Sequence, residues 1–382
     1  MQILFVGYNL FPESGGVFNS VTRFIRAMQM YGHDTKCISF TDCLVSSPHS
    51  DPNWLNLPVP GSMLGKSYGY IRRSELQPGE ELIREADVVF VHLLYRYHCI
   101  WAARVARDQG KPVIVVPHGT LDPWVFTYRG LRKRAWLHMH RNLLFGDGNT
   151  VLFATQAESL KAKAVVTSAR ERVISWSAER LTCGGKPDRR PDGQRKLLMV
   201  GRLHPMKRVI ETIQALRRVG GSHWTLTVAG PPTTEISPDD LRKAAGPLWD
   251  SQIRYVGHLD REQLFPLYAE SDALLQLSHR ENFGYAVAEA MCEGLPVVVS
   301  EGVDISPIVS NWDCGLVRAI RSDTDIDRIL ADLLALSTER LGAMGLAAAA
   351  AARSEFSFER FAGSVNDLVV STVRQRSLTL VS

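Results

Sequence analysis

Short runs of Val, Ile and Leu alternate with longer helical patterns along the chain, and the series runs twice, the two halves separated by a stretch almost without apolar residues. Apolar runs of this length, without polar alternation, are how strands buried on both faces read. Parallel strands joined by crossover helices are the usual way to bury both faces. The pattern predicts an α/β protein of two doubly wound sheets. Predicted strands of the first series are 2–8, 34–40, 87–93, 112–117, 150–155 and 172–176, with helices such as 19–31 and 101–108 between them. The second series is 197–201, 225–230, 253–257, 273–278, 296–300 and 315–319. The break at 183–196 is rich in Gly, Pro, Arg, Asp and Lys, the composition of an exposed linker, and places a domain boundary at 185/186.

The bulk numbers fit this organisation. The chain has 382 residues, room for two cores of ordinary size, and its 45% apolar and 22% charged content is that of a folded protein. A formal charge of +4 falls short of the concentrated positive field that nucleic-acid binding needs, so no nucleic-acid partner is expected. Six cysteines lie far apart with no Cys-x-x-Cys pair, which points to free thiols in a reducing cytoplasm rather than a zinc site or disulfide framework. The run 1–7 lacks a basic leader and is too short for a signal peptide. No stretch of about 18 apolar residues predicts a membrane-spanning helix, although surface attachment stays open.

Ligands of doubly wound sheets bind at the carboxyl ends of the strands, and two such domains face to face would form a cleft there. The chemistry-bearing residues cluster at these strand ends. Glu281-Asn282-Phe283-Gly284-Tyr285 follows the strand ending at Ser278 and opens a helix that continues through Glu289. Free N–H groups at a helix start bind phosphate or sugar oxygens, and Gly284 would admit a ligand closely. Glu289 sits among Ala286, Val287, Ala288, Ala290 and Met291, where a carboxylate needs hydrogen-bond donors such as a ribose diol. Glu281, just before the helix, is placed to accept from sugar hydroxyls. The plainer alternative is an N-terminal acid and a surface Glu.

Gly201-Arg202-Leu203-His204-Pro205-Met206-Lys207 follows the first strand of the second series. Arg202 can fork onto a phosphate and Lys207 can add a point charge, a set that suits a diphosphate, although each alone reads as a solvated cation. In the first half, Ser14-Gly15-Gly16-Val17 lies between the first strand and its helix. Its backbone could touch a phosphate, but it lacks the Gly-x-Gly-x-x-Gly fingerprint and disfavours a dinucleotide cofactor. Pro117-His118-Gly119-Thr120 ends the fourth predicted strand, putting an imidazole beside a flexible glycine. His92 ends the third and reads more as a structural polar contact.

With Gly15-Gly16, His118, Arg202, Lys207 and the Glu281/Glu289 pair in this order, the chain resembles glycosyltransferase family 4 over nearly its whole length. These are retaining enzymes of the GT-B fold, among them bacterial polysaccharide-biosynthesis transferases. The resemblance implies an acceptor-binding domain over 1–185, completed by a returning helix at 358–382, and a donor-binding domain over 186–357. It implies that Arg202 and Lys207 bind the donor diphosphate, Glu281 the donor sugar and Glu289 the ribose, with His118 at the reaction centre. The remaining donor contacts fall to Gly15, Gly16, Asn282, Phe283, Gly284 and Tyr285. Two departures stand out: Arg208 follows Lys207 where Gly is common, and Ile174-Ser175-Trp176-Ser177-Ala178 replaces a frequent Asn-Gly turn.

The implied reaction breaks the bond between sugar C1 and the diphosphate, with attack by an acceptor hydroxyl on the same face and retained configuration. Arg202, Lys207 and the helix start would stabilise the leaving anion. Neither glutamate is assigned as a covalent nucleophile. No Asp-x-Asp stands out as a metal clamp, so no cofactor or obligatory metal is expected. UDP-glucose is the first donor expected and GDP-mannose the second, with a saccharide or lipid-linked saccharide as acceptor. Arg129, Arg132, Lys133, Arg134 and Arg141 interleave with Leu131, Trp136, Leu137 and Met139 across 128–142, which reads as a basic helix at the inner face of the plasma membrane or as a solvated face. The competing functions are a sugar-nucleotide 2-epimerase, which needs no acceptor, and a non-enzymatic sugar-binding protein, which would not need Arg202 and Lys207.

Overall fold

The computed structural model describes residues 1–11, 15–42, 51–127, 129–166, 168–178 and 194–381. The chain divides into two units, one formed by Met1–Trp176 with Phe358–Ser382 and the other by Ser177–Ser357.

The first unit is built on a seven-stranded sheet of β1 (Gln2–Tyr8), β2 (Asp34–Asp42), β3 (Trp54–Val59), β4 (Val88–His92), β5 (Val113–Val116), β6 (Thr150–Phe153) and β7 (Arg170–Val173). Every pairing is parallel, in the order β3-β2-β1-β4-β5-β6-β7. Strand β1 lies between β2 and β4, with Val6 opposite both Ile38 and Val91, and the direction of winding reverses there. Its apolar run is needed because helices cover both faces. On one face Phe5 stacks on Phe90 at 5.0 Å, and Phe24 of the helix Gly16–Met30 packs beside them. Helix Phe358–Val381 brings Phe361 to 5.0 Å from Phe24, and the fully buried Trp176 meets both rings.

The second unit carries β8 (Arg195–Val200), β9 (Trp224–Ala229), β10 (Ile253–Tyr255), β11 (Ala273–Gln276), β12 (Val297–Ser300) and β13 (Gly315–Arg318). They form a parallel sheet in the order β10-β9-β8-β11-β12-β13, which reverses between β8 and β11. Its helices start on side-chain caps: Ser237 with Asp240, Asp260 with Gln263 and Ser322 with Asp325 each close a reciprocal capping box.

Several expectations are corrected. Strand β3 went unpredicted because Asn56 and Pro58 interrupt its apolar run; as the edge strand it tolerates both. The first helix begins at Gly16, ahead of Asn19. The linker placed at 183–196 lies mostly outside the described residues, and its last two, Arg195 and Lys196, already belong to β8. The boundary expected at 185/186 lies outside the described residues, and the two units divide at Trp176/Ser177. Trp176 belongs to the aromatic cluster of the first unit, whereas the Ala178 amide donates to the Phe356 carbonyl in the second at 3.0 Å.

The basic segment forms a helix at Gly130–Phe145, and Tyr128 lies outside the described residues. Trp136, Leu137, Leu143, Leu144 and Phe145 are buried, while Leu131 and Met139 are exposed beside Arg132, Arg134 and Arg141. Among the described residues no helix is long and apolar enough to cross a membrane.

Candidate functional site

In the second unit, the loops leaving β8 and β11 start from neighbouring strands at the point where the winding reverses, the position where such sheets hold ligands. The β8 loop opens with Gly201 at φ 147°, a conformation that side chains rarely adopt, with the Lys207 stem 3.3 Å from where a Cβ would sit. Gly230, at the end of β9, passes so close that a Cβ there would lie 1.9 Å from the Gly201 carbonyl oxygen. The loop then turns through Pro205–Lys207 and places the Lys207 ammonium in an ion pair with the Glu281 carboxylate. Arg202 stands exposed on the rim of a recess also lined by Gly201, Leu203, Lys207 and Gln276.

Glu281 is presented by its backbone. Its amide donates to the Gly302 carbonyl at 2.9 Å and its carbonyl accepts from the Asp304 amide at 2.9 Å, so the loop after β12 fixes the loop after β11. The β8 and β11 loops are also tied directly, since the His279 amide donates to the Met206 carbonyl at 2.8 Å. Glu289 lies half-buried on helix Tyr285–Cys292 and accepts from the Tyr268 hydroxyl at 3.4 Å.

Arg208, which the sequence marks only as a departure from glycine, ties the two loops together. It sits at φ 51°, ψ 36°, the left-handed conformation that explains why glycine is common here. An arginine holds it because the guanidinium donates to the Leu277 carbonyl at 3.2 Å and bonds His279 Nδ1 at 2.9 Å, which adds a side-chain tie between the two loops. Burial lowers the His279 imidazole below its ordinary value, and the neighbouring Arg208 charge adds to this, so the ring accepts as a neutral base.

Two of the expected donor contacts also have structural duties. Phe283 is buried and packs edge-on against Tyr285 at 5.1 Å and Phe356 at 5.5 Å. Gly284 caps the helix at φ 83°, with Val303 3.2 Å from where its Cβ would be, so its glycine serves the backbone and the packing. Asn282 and Tyr285 are half-exposed beside Glu281.

In the first unit, Gly15 adopts φ 77° and caps the helix that Gly16 opens, with nothing within 4 Å of its absent Cβ. Ser14 lies outside the described residues. His118 leaves β5 in the left-handed conformation at φ 53°, followed by Gly119 at φ 76°. Its Nε2 lies 2.8 Å from Nδ1 of His92, and its ring lies 6.1 Å from that of Trp176. Burial pushes the His118 imidazole down to about 3, and the residue as a whole is half-buried. Burial also lowers His92 well below its ordinary value and takes His98 to about 4.

Glu158 holds the His118 turn. Its buried carboxylate accepts from the Gly119 amide at 2.6 Å and the Ala154 amide at 2.9 Å. The sequence Thr155-x-x-Glu158 carries the signal of a helix cap, and Thr155 does cap Glu158. That signal does not reveal that the carboxylate reaches across to the next strand's loop.

Among the described residues no three His, Cys, Asp or Glu side chains gather as a metal site. Two overlapping Asp-x-Asp runs occur across Asp323-Thr324-Asp325-Ile326-Asp327, but Asp325 closes the capping box with Ser322, and Asp327 takes Arg218 at 2.8 Å.

Residues 14–175 match the family model described as Glycosyltransferase Family 4, and residues 186–349 match that described as Glycosyl transferases group 1. A GDP-mannose:cellobiosyl-diphosphopolyprenol alpha-mannosyltransferase of Xanthomonas campestris is 27% identical over 81% of this chain and 80% of its own. Among solved structures, sucrose-phosphate synthase of Thermosynechococcus elongatus superposes with a TM-score of 0.73 at 18% identity, covering 100% of both chains. HepE of Anabaena, solved with UDP and glucose, superposes with a TM-score of 0.74 at 16% identity, covering 97% of this chain and 100% of its own. Both show the fold. With a family 4 domain followed by a group 1 domain, each on its own parallel sheet, the chain belongs to the family 4 glycosyltransferases of the GT-B fold.

Proposed function

We propose that this glycosyltransferase moves a hexose from a nucleoside diphosphate sugar to a saccharide or lipid-linked saccharide, with retention and without an obligatory metal, in polysaccharide or glycolipid biosynthesis. The observation that carries the reading is the Lys207–Glu281 ion pair beside Arg202, at the strand ends where the second sheet reverses. A diphosphate arriving there would share Lys207 with Glu281 and draw on Arg202, leaving the Glu281 carboxylate to accept from sugar hydroxyls. As the bond to C1 breaks, charge develops on the departing diphosphate, and Lys207, already held by Glu281, stabilises it with Arg202 adding a second cation. Glu289, fixed near Tyr268, takes the ribose.

In this reading the donor binds the second unit and the acceptor the first, where His118 meets the sugar. GDP-mannose is the donor to test first, because the Xanthomonas relative named for it aligns over most of the chain. UDP-glucose, the donor first expected from the sequence, is second. Leu131 and Met139, exposed among the arginines of helix Gly130–Phe145, suit the inner face of a membrane that carries a lipid-linked acceptor.

The test is thermal stabilisation by GDP, UDP and ADP and their sugars, for the wild type and Glu289→Ala, followed by product analysis with a lipid-linked disaccharide. A ligand of the folded state raises the midpoint. We expect a shift with GDP-mannose that the variant loses, and transfer to the acceptor. No shift with any nucleotide would sink the donor site, and turnover of the donor without an acceptor would favour an epimerase.

A further inference from the structure

We propose that His92 is a positioning residue that fixes the tautomer of His118, so that His118 presents Nδ1–H as a neutral hydrogen-bond donor to an oxygen of the sugar.

His92 is fully buried at the end of β4, and its ring lies 5.1 Å from that of His118, at 25° to it. One hydrogen bond joins them, between His92 Nδ1 and His118 Nε2 at 2.8 Å. The other His92 nitrogen, Nε2, is buried without a partner among the described residues, in a box walled by Phe5, Phe24 and Phe90. His98 shapes the same corner. Its Nε2 lies 2.8 Å from the His92 carbonyl, which can only accept, so the proton of His98 is on Nε2.

Both rings of the pair are neutral, because burial disfavours the imidazolium of each. A neutral pair sharing one hydrogen bond has two arrangements. If His118 donates from Nε2, His92 must carry its proton on Nε2, and an N–H group is then enclosed among phenylalanines. If His92 donates from Nδ1, only a lone pair is left in the box. Orphaned buried N–H groups are the rarer of the two defects, so the second arrangement is favoured. It has one consequence for the site. With Nε2 of His118 accepting from His92, the proton of His118 must sit on Nδ1, which no group among the described residues bonds. That nitrogen is the one available to a ligand, and it donates.

The role of Nδ1 rests on the transferase reading, while the tautomer does not. The experiment therefore has two arms. The first is a long-range proton–nitrogen correlation spectrum of the full chain, 15N-labelled at histidine, at pH 7, with the pair assigned by His92→Asn and His118→Asn. We expect His118 protonated on Nδ1 and His92 bare on Nε2. A proton on Nε2 of His118, or rapid averaging of its tautomers, overturns the proposal.

The second arm is kinetic, with GDP-mannose and the lipid-linked disaccharide. His92→Leu removes the donor, and kcat should fall by about 10- to 100-fold, the usual cost of losing an outer partner that orients a working group. His92→Asn can place an amide N–H where Nδ1 stood and should restore most of kcat. Thermal stabilisation of His92→Leu by GDP should match the wild type, which shows that the second unit is folded and competent. Equal loss in the Leu and Asn variants, or no loss in either, overturns the positioning role. Absence of transfer by the wild type, with the tautomers as stated, would count against the transferase reading alone.

Discussion

The two sheets offer the same opportunity at their strand ends and fill it with opposite chemistry. The second unit places charge there: Lys207 with Glu281, Arg202 exposed beside them, and Arg208 tying the loops. The first places uncharged imidazoles there, with His118, His92 and His98 in an aromatic corner and a buried carboxylate, Glu158, spent on backbone amides. A fold supplies location, and the ligand's charge dictates what is put at it. A diphosphate calls for fixed cations, whereas a sugar hydroxyl is served by a neutral donor whose proton is kept in place.

The sharpest way to break this comparison is to remove charge from the second site. Lys207→Ala should lower kcat/KM by about 100- to 1,000-fold, as loss of a preorganised electrostatic group does, while leaving the histidine resonances of the first unit unmoved. Steady-state kinetics and the nitrogen spectrum together check it. His118→Ala should act on the chemical step alone, lowering kcat by about 100-fold with GDP affinity unchanged by calorimetry. If it weakens nucleotide binding instead, the division of labour fails. Arg208→Gly trades strain for cohesion. Its loss of two bonds to the β11 loop should outweigh the relieved left-handed backbone, raising the donor KM by about five- to tenfold.

The smallest effect concerns pH. His98, with its folded value at about 4, stays neutral while an unfolded histidine takes a proton near 6.5. The unfolded chain therefore binds more protons at acid pH, so stability is full above about 6.5 and declines as pH falls towards 4. His98→Gln, which can keep the bond to the His92 carbonyl without titrating, should flatten the fall of the thermal midpoint between pH 7 and 5. An unchanged slope would show that His98 does not govern it.

The strands were legible because burial on both faces writes itself as unbroken Val, Ile and Leu. Strand β3 was not, because an edge strand needs no such run and carries Asn56 and Pro58. Positions at strand ends were legible too, and Lys207, Glu281 and His118 stand there. The partners of those residues were hidden. Glu158 carries the signal of a cap, Arg208 stands out only as a replacement for glycine and His92 reads as a structural polar contact, since each acts on a loop distant in sequence. Phe283 and Gly284 show the converse, since a motif carries packing and backbone duties along with contacts, and spacing cannot separate them.

The returning helix Phe358–Val381 has a consequence for how the molecule is made. The first unit is interrupted, and Phe361 arrives to cover Phe24 and Trp176 only after all of the second unit has left the ribosome. The second unit, contiguous from 177 to 357, can close its own core in the meantime. A nascent chain therefore acquires its charged site before its histidine corner is sealed, and a chain cut short after residue 357 would leave an aromatic cleft open on the first unit.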